Sequence, residues 1–118
     1  MRYNDIKNRI KEISDLDLQR KLWLNKNNDT GLISSYTELM NSLFDDLMFD
    51  DFVDNTIIRE NWNLAFVEKM NQLRSYLNDY QEKQNDEEII KDPEWIKISQ
   101  FAKEILDILN IQTKLETR

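Results

Sequence analysis

Ser35-Tyr36-Thr37-Glu38-Leu39-Met40-Asn41-Ser42-Leu43-Phe44-Asp45-Asp46-Leu47 is the stretch that decides the fold class. Within it Tyr36, Leu39, Met40, Leu43, Phe44 and Leu47 recur at steps of 3, 1, 3, 1 and 3. That spacing puts them on one stripe of an α-helix. Ser35 and Glu38 stand at capping-box separation, which starts the helix at Tyr36. Each fully buried side chain of such a stripe favours folding by roughly 1.5–3 kcal/mol. On the same wheel Asp45 and Asp46 point away from the stripe, toward solvent or a partner.

Helical periodicity continues on both sides. Ile6, Ile10 and Ile13 fall at i, i+4 and i+7 and predict a first helix from about Asn4. Ser14 with Asp15 and Asp17 predicts the start of a second helix that sets Leu18, Leu22 and Trp23 together. Asn25 to Gly31 reads as the clearest loop. Residues 48–62 break the periodicity and predict a short helical turn plus loop, with Phe52, Val53 and Ile57 packed inward. Asn63 caps a long fourth helix carrying Phe66, Met70, Leu73, Leu77 and Tyr80, and the polar run Gln81 to Glu88 interrupts it. Asp92-Pro93-Glu94-Trp95 is a helix start with Asp at the N-cap and Pro at N1, where its missing N–H is harmless. Ile98, Phe101, Ala102, Ile105, Ile108 and Leu109 continue that stripe, and residues 110–118 are expected to fray. Trp62 and Trp95 begin helices and read as plugs of the core, with Trp23 packed on the third helix.

The expected fold is therefore all-α, a compact bundle of about five helices in a single domain spanning 1–118. Composition agrees. Glycine and proline occur once each, too few for hairpin turns that need positive φ. Aromatic residues are 10% of the chain, enough to argue against disorder despite 33% charged residues. No stretch approaches the ~18 apolar residues of a membrane helix, and the start has no apolar leader segment. The expectation is a cytoplasmic protein without membrane association.

Charge is distributed in three blocks. Residues 1–28 have a net charge of +3, residues 59–118 have −3, and the segment from Asp29 to Ile58 has −7 with no Lys or Arg. Its acids are Asp29, Glu38, Asp45, Asp46, Asp50, Asp51 and Asp54. A one-signed patch of this kind attracts a basic surface and repels nucleic acid and anionic lipid. Five aspartates in ten residues also repel one another, by up to ~1 kcal/mol per close exposed pair. Phe49 and Phe52 are interleaved with them, as anchors inside an acidic rim would be. Both also read as core residues beneath a loop, Phe52 above all. For any one Asp, solvation of a helix surface is the simpler account; the group is what points to a partner. The basic residues of 1–28 are mixed with acids on two short helices and read as a solvated face.

Chemistry is sparsely provided for. Histidine and cysteine are absent, which removes the usual general base, the Ser–His and Cys–His pairs and the commonest metal ligands. Gly31 is alone, so no glycine-rich loop cradles a phosphate. Asp51-x-x-Asp54 and Asp79-x-x-Glu82 resemble the magnesium-binding helix pairs of all-α nucleotide pyrophosphatases in spacing, but not in residue type. Asp45 to Asp54 lacks the turn of a calcium loop. We expect no catalytic residue, no metal and no cofactor.

Leu22-Trp23, Tyr36, Leu43-Phe44-Asp45-Asp46 and Asp92-Pro93-x-Trp95, with Ala102 downstream, together resemble a group of small bacterial proteins. Their character is shared by immunity proteins of contact-dependent growth inhibition and other polymorphic toxin systems, which are small, acidic, helical and without catalytic residues. The resemblance spans residues 16–109. It implies one activity: binding a cognate toxin domain, often a basic nuclease, and blocking its active site. Leu43-Phe44-Asp45-Asp46 can equally be a structural signature of that group, and no contact residue is carried over from it. The sequence-based expectation is an immunity protein whose partner-binding residues are Asp45, Asp46, Phe49, Asp50, Asp51 and Asp54. A carboxylate-metal nucleotide hydrolase and a non-enzymatic adaptor or regulatory subunit are the alternatives.

Overall fold

Trp95, fully buried, is where the helices of this chain converge. The computed structural model describes the backbone of residues 2–116 and the side chains of residues 2–109. Among the described residues there are seven continuous helical segments and no strand. They are α1 (Arg2–Ser14), α2 (Leu16–Leu24), α3 (36–46), α4 (49–59), α5 (Leu64–Asp79), α6 (Asp86–Lys91) and α7 (Pro93–Glu116). The fraying expected for 110–118 lies outside the residues whose side chains are described.

α7 is the spine. It packs along α1 and α5, with α6 at its N-terminal end; α2 lies on α6, and α3 and α4 close the assembly against α1 and α5. Ile6, Ile10 and Ile13 of α1, Met70, Leu73 and Leu77 of α5, and Ile98, Ala102, Ile105 and Leu109 of α7 form one continuous core with Leu39, Leu43 and Ile57. The isoleucine stripe, the α5 stripe and the α7 stripe all face inward as their spacing predicts.

Three local starts are as expected. Ser35 Oγ accepts from Glu38 N at 3.0 Å, Asn63 Oδ1 from Ala65 N at 2.8 Å, and Asp92 Oδ1 from Glu94 N at 3.2 Å. The α2 start differs: Asp15, not Ser14, is the cap, its Oδ1 accepting from Leu18 N at 3.0 Å. Ser14 belongs to the end of α1 and donates to Lys11 O at 2.7 Å.

The count of about five helices is corrected to seven. Residues 49–59 are helical rather than a turn plus loop, because Phe49, Phe52, Val53 and Ile57 supply a buried face. α6 begins inside the polar run Gln81 to Glu88 and continues through Ile89 and Ile90 to Lys91. Asn85 Oδ1 accepts from Glu88 N at 2.9 Å, and three acids occupy its first turn, suited to the positive helix end. Residues 42–46 and 52–56 are wide, π-type turns. Four residues outside glycine adopt positive φ, namely Asn25, Asn27, Met48 and Asn61. Asparagine tolerates that region; Met48, which links α3 to α4, is the strained one.

Candidate functional site

Three places among the described residues bear on function: a buried network around Trp95, the acidic α3–α4 surface, and a groove between α5 and α7.

The buried network is structural. Gln19 of α2 is fully buried, and its Nε2 donates to the carbonyls of Glu12 and Ile13 at 2.8 and 2.9 Å, satisfying groups left open at the end of α1. Its Oε1 accepts from Trp95 Nε1 at 2.9 Å. Glu12, also buried, accepts from Trp23 Nε1 at 2.9 Å and Ser34 Oγ at 3.1 Å. Tyr36, Tyr80 and Trp23 surround Trp95 at ring separations of 5.5, 5.3 and 6.0 Å. Buried donors and acceptors without such partners would cost about 1–3 kcal/mol each. Nothing in the apolar periodicity announces Glu12 or Gln19, since each is polar at an inward position of its helix.

The acidic segment divides in two. On α4, every aspartate has a cation. Arg2 donates to Asp51 Oδ2 at 2.9 Å and to Thr56 Oγ1 at 3.3 Å, and its guanidinium sits 5.6 Å from the centre of the Phe52 ring. Asn55 Nδ2 also donates to Asp51, at 2.8 Å, and Asn55 first and Arg2 second hold that carboxyl below the usual carboxylate range. Arg74 of α5 lies 2.8 Å from Asp54 Oδ1 and 3.5 Å from Asp50 Oδ1. On α3, Asp45 and Asp46 are exposed and make no ion pair among the described residues, as is true of Glu38.

Phe49 is 0% exposed, packed edge-on against Phe44 at 5.5 Å. As a surface anchor it is withdrawn: the helical form of 49–59 turns it inward. Phe52 is buried too. Of the apolar side chains that do reach solvent, Met48 precedes α4 and Ile58 lies in it, and the two before α3 are more exposed than either. Leu32 and Ile33 are 64% and 74% exposed on the loop that leads into α3. That loop is tied by its own hydrogen bonds: Asn28 Nδ2 donates to Asn25 Oδ1 and Leu32 O at 3.1 and 2.6 Å, and Ser34 N donates to Leu22 O at 2.9 Å. From there Thr37, Glu38, Asn41 and Asp45 follow at helical spacing, all exposed. Residues 32–46 thus make one ridge, apolar at its head and acidic at its foot, with no basic residue on it.

The groove has a volume of about 460 Å³ and lies between the C-terminal half of α5, Tyr80 and the first half of α7. Tyr80 Oη donates to Asp92 Oδ2 at 2.7 Å, and burial first, then that bond, push its phenol well above the usual range. Asp79 lines this groove, whereas Asp51 and Asp54 are held by Arg2 and Arg74. Among the described residues no three Asp or Glu side chains converge as a metal site. No described helix is long and apolar enough to cross a membrane.

Comparison with family models, with curated proteins and with solved structures gives no match. The site must be read from its own geometry.

Proposed function

We propose that this protein is a cytoplasmic immunity protein that binds and occludes a basic toxin domain, most simply a nuclease, through the ridge 32–46. The observation that carries the reading is the pairing pattern of the acids: Glu38, Asp45 and Asp46 are exposed and make no ion pair among the described residues, on a stretch that begins with two exposed aliphatic side chains in a hydrogen-bonded loop. A nuclease must present Lys and Arg to hold phosphates, and an acidic ridge can occupy that site while steering association. Leu32 and Ile33 supply the apolar anchor in place of Phe49, and a pre-ordered loop spends little entropy on binding.

The reading expects a neighbouring gene to encode a basic toxin domain, and the test titrates that domain against this chain. Asp45→Lys with Asp46→Lys is expected to lower affinity by on the order of tenfold or more and to flatten its salt dependence. Leu32→Asp with Ile33→Asp is expected to raise the dissociation rate. These positions are better probes than Asp50 or Asp51, whose reversal would also break contacts to Arg74 and Arg2. Unchanged affinity in folded forms of both double variants would discard the ridge. A basic domain that does not bind the unmodified protein at all would discard the immunity reading.

A further inference from the structure

The α5–α7 groove carries chemistry of its own. Its floor is aromatic: Tyr76 and Phe101 meet edge to face, 5.3 Å apart at 87°, with Tyr80 alongside. Two carboxylates line it without a cation among the described residues, Asp79 and Glu104. Glu94 lies 4.0 Å from Lys97, so those two largely cancel. Lys83 lines the groove as well, and buried Asp92 is already committed to Tyr80 and to the α7 N-terminus. The lining therefore stays net negative over an aromatic floor. Phe101 already attracts one cation of this chain, with Lys69 Nζ 5.4 Å from its ring centre.

We propose that this groove binds an arginine side chain presented by a protein segment. A guanidinium is flat, stacks on rings, and offers paired donors to carboxylates, whereas an ammonium would forgo the stacking. The volume admits one such side chain with part of its backbone. The inference stands on the groove alone and does not require the ridge 32–46 to bind anything.

The probe is a capped tri-arginine peptide, titrated into the full chain by NMR or calorimetry, with capped tri-lysine and tri-glutamate for comparison. Saturable binding of tri-arginine is expected, weaker for tri-lysine and absent for tri-glutamate, with perturbed resonances at Tyr76 and Phe101. Tyr76→Ala is expected to weaken it roughly threefold, the worth of one exposed cation–π contact. Glu104→Lys, a change at an exposed position, is expected to abolish it, and Asp45→Asn with Asp46→Asn to leave it unchanged. Absence of saturation overturns the proposal. Equal binding in Glu104→Lys, or loss in the Asp45–Asp46 variant, places the peptide elsewhere and overturns it too. Should Tyr76→Ala not fold, Tyr76→Leu keeps the packing and removes the ring, with the same expectation.

Discussion

Asp45 and Asp46 sit in the last turn of α3, whereas Asp50 and Asp51 sit in the first turn of α4, only a few residues later. The residue type is the same and the electrostatic setting is opposite. A helix N-terminus favours a carboxylate by about 0.3–1 kcal/mol, and a C-terminus disfavours it similarly. Arg2 and Arg74 then reach the α4 acids from distant points of the chain, while no described basic residue pairs with the α3 acids. The α4 aspartates thus contribute to the fold, and the α3 aspartates oppose it. Charges kept against the local field are where a binding role is most reasonably sought.

The sharpest way to break that division is at its junction. Phe49→Ala is expected to destabilise the protein by about 3–5 kcal/mol, because a fully buried ring leaves a cavity that its neighbours fill only partly. Urea unfolding followed by Trp fluorescence measures it. A loss under about 1 kcal/mol, the ordinary range of surface substitutions, would return Phe49 to the surface and reunite the two halves. Arg74→Ala comes next, at about 1–2 kcal/mol, since it leaves Asp50 and Asp54 unpaired and removes the 2.7 Å bond to Asn71 Oδ1. If Arg74→Ala costs no more than a Lys97→Ala control on the exposed pair to Glu94, the α4 acids are solvated ornaments like any other surface charge.

Much of the fold was legible in the sequence because its apolar stripes are strict. The i, i+4, i+7 isoleucines, the α5 and α7 stripes, and the caps Ser35, Asn63 and Asp92 needed no tertiary information. α6 was missed although Asn85 and Glu88 stand at capping-box spacing and Ile89 and Ile90 follow. Its first three residues, Asp86 to Glu88, belong to the polar run Gln81 to Glu88, which masks the helix start. α4 was missed for a different reason. Phe49, Phe52, Val53 and Ile57 do stand at i, i+3, i+4 and i+8, but Asp50, Asp51 and Asp54 between them give the stretch the look of a polar loop. Of the acidic surface, the charge block was legible and its division was not. Arg2 lies 49 residues from Asp51 and Arg74 lies 24 from Asp50, and no local pattern reveals such pairings. Exposure of Asp45 and Asp46 did follow from the wheel.

Titration sharpens the same contrast. Asp51 is held below its ordinary range by Asn55 and Arg2, so its folded pKa lies below its unfolded one. A group depressed in this way adds stability above the unfolded value, and that stability is lost as pH falls through the folded value. Arg2→Ala or Asn55→Ala should therefore remove part of the protein's stability at neutral pH and flatten its decline into acid. Thermal unfolding across the carboxylate range reads the difference. A parallel acid decline in the unmodified and variant proteins would show that Asp51 gains nothing from its partners.

The smallest effect is also the most telling. Asp45→Asn with Asp46→Asn removes two adjacent charges from a helix C-terminus, where each is disfavoured, and from a segment whose acids repel one another. Stability is expected to rise, by no more than about 0.5–1 kcal/mol, with the gain shrinking as salt screens the repulsion. The equivalent change at Asp50 and Asp54 should lower stability, because it strands Arg74. Opposite signs for two chemically identical double substitutions, a few residues apart, cannot come from composition or solubility. They would arise only if one pair holds the fold and the other is held by it at a cost. A chain that tolerates such a cost, and loses toxin affinity when relieved of it, would be trading stability for recognition at that ridge. Equal signs would mean that both halves are ordinary surface charge, and the ridge would lose its strongest claim to function.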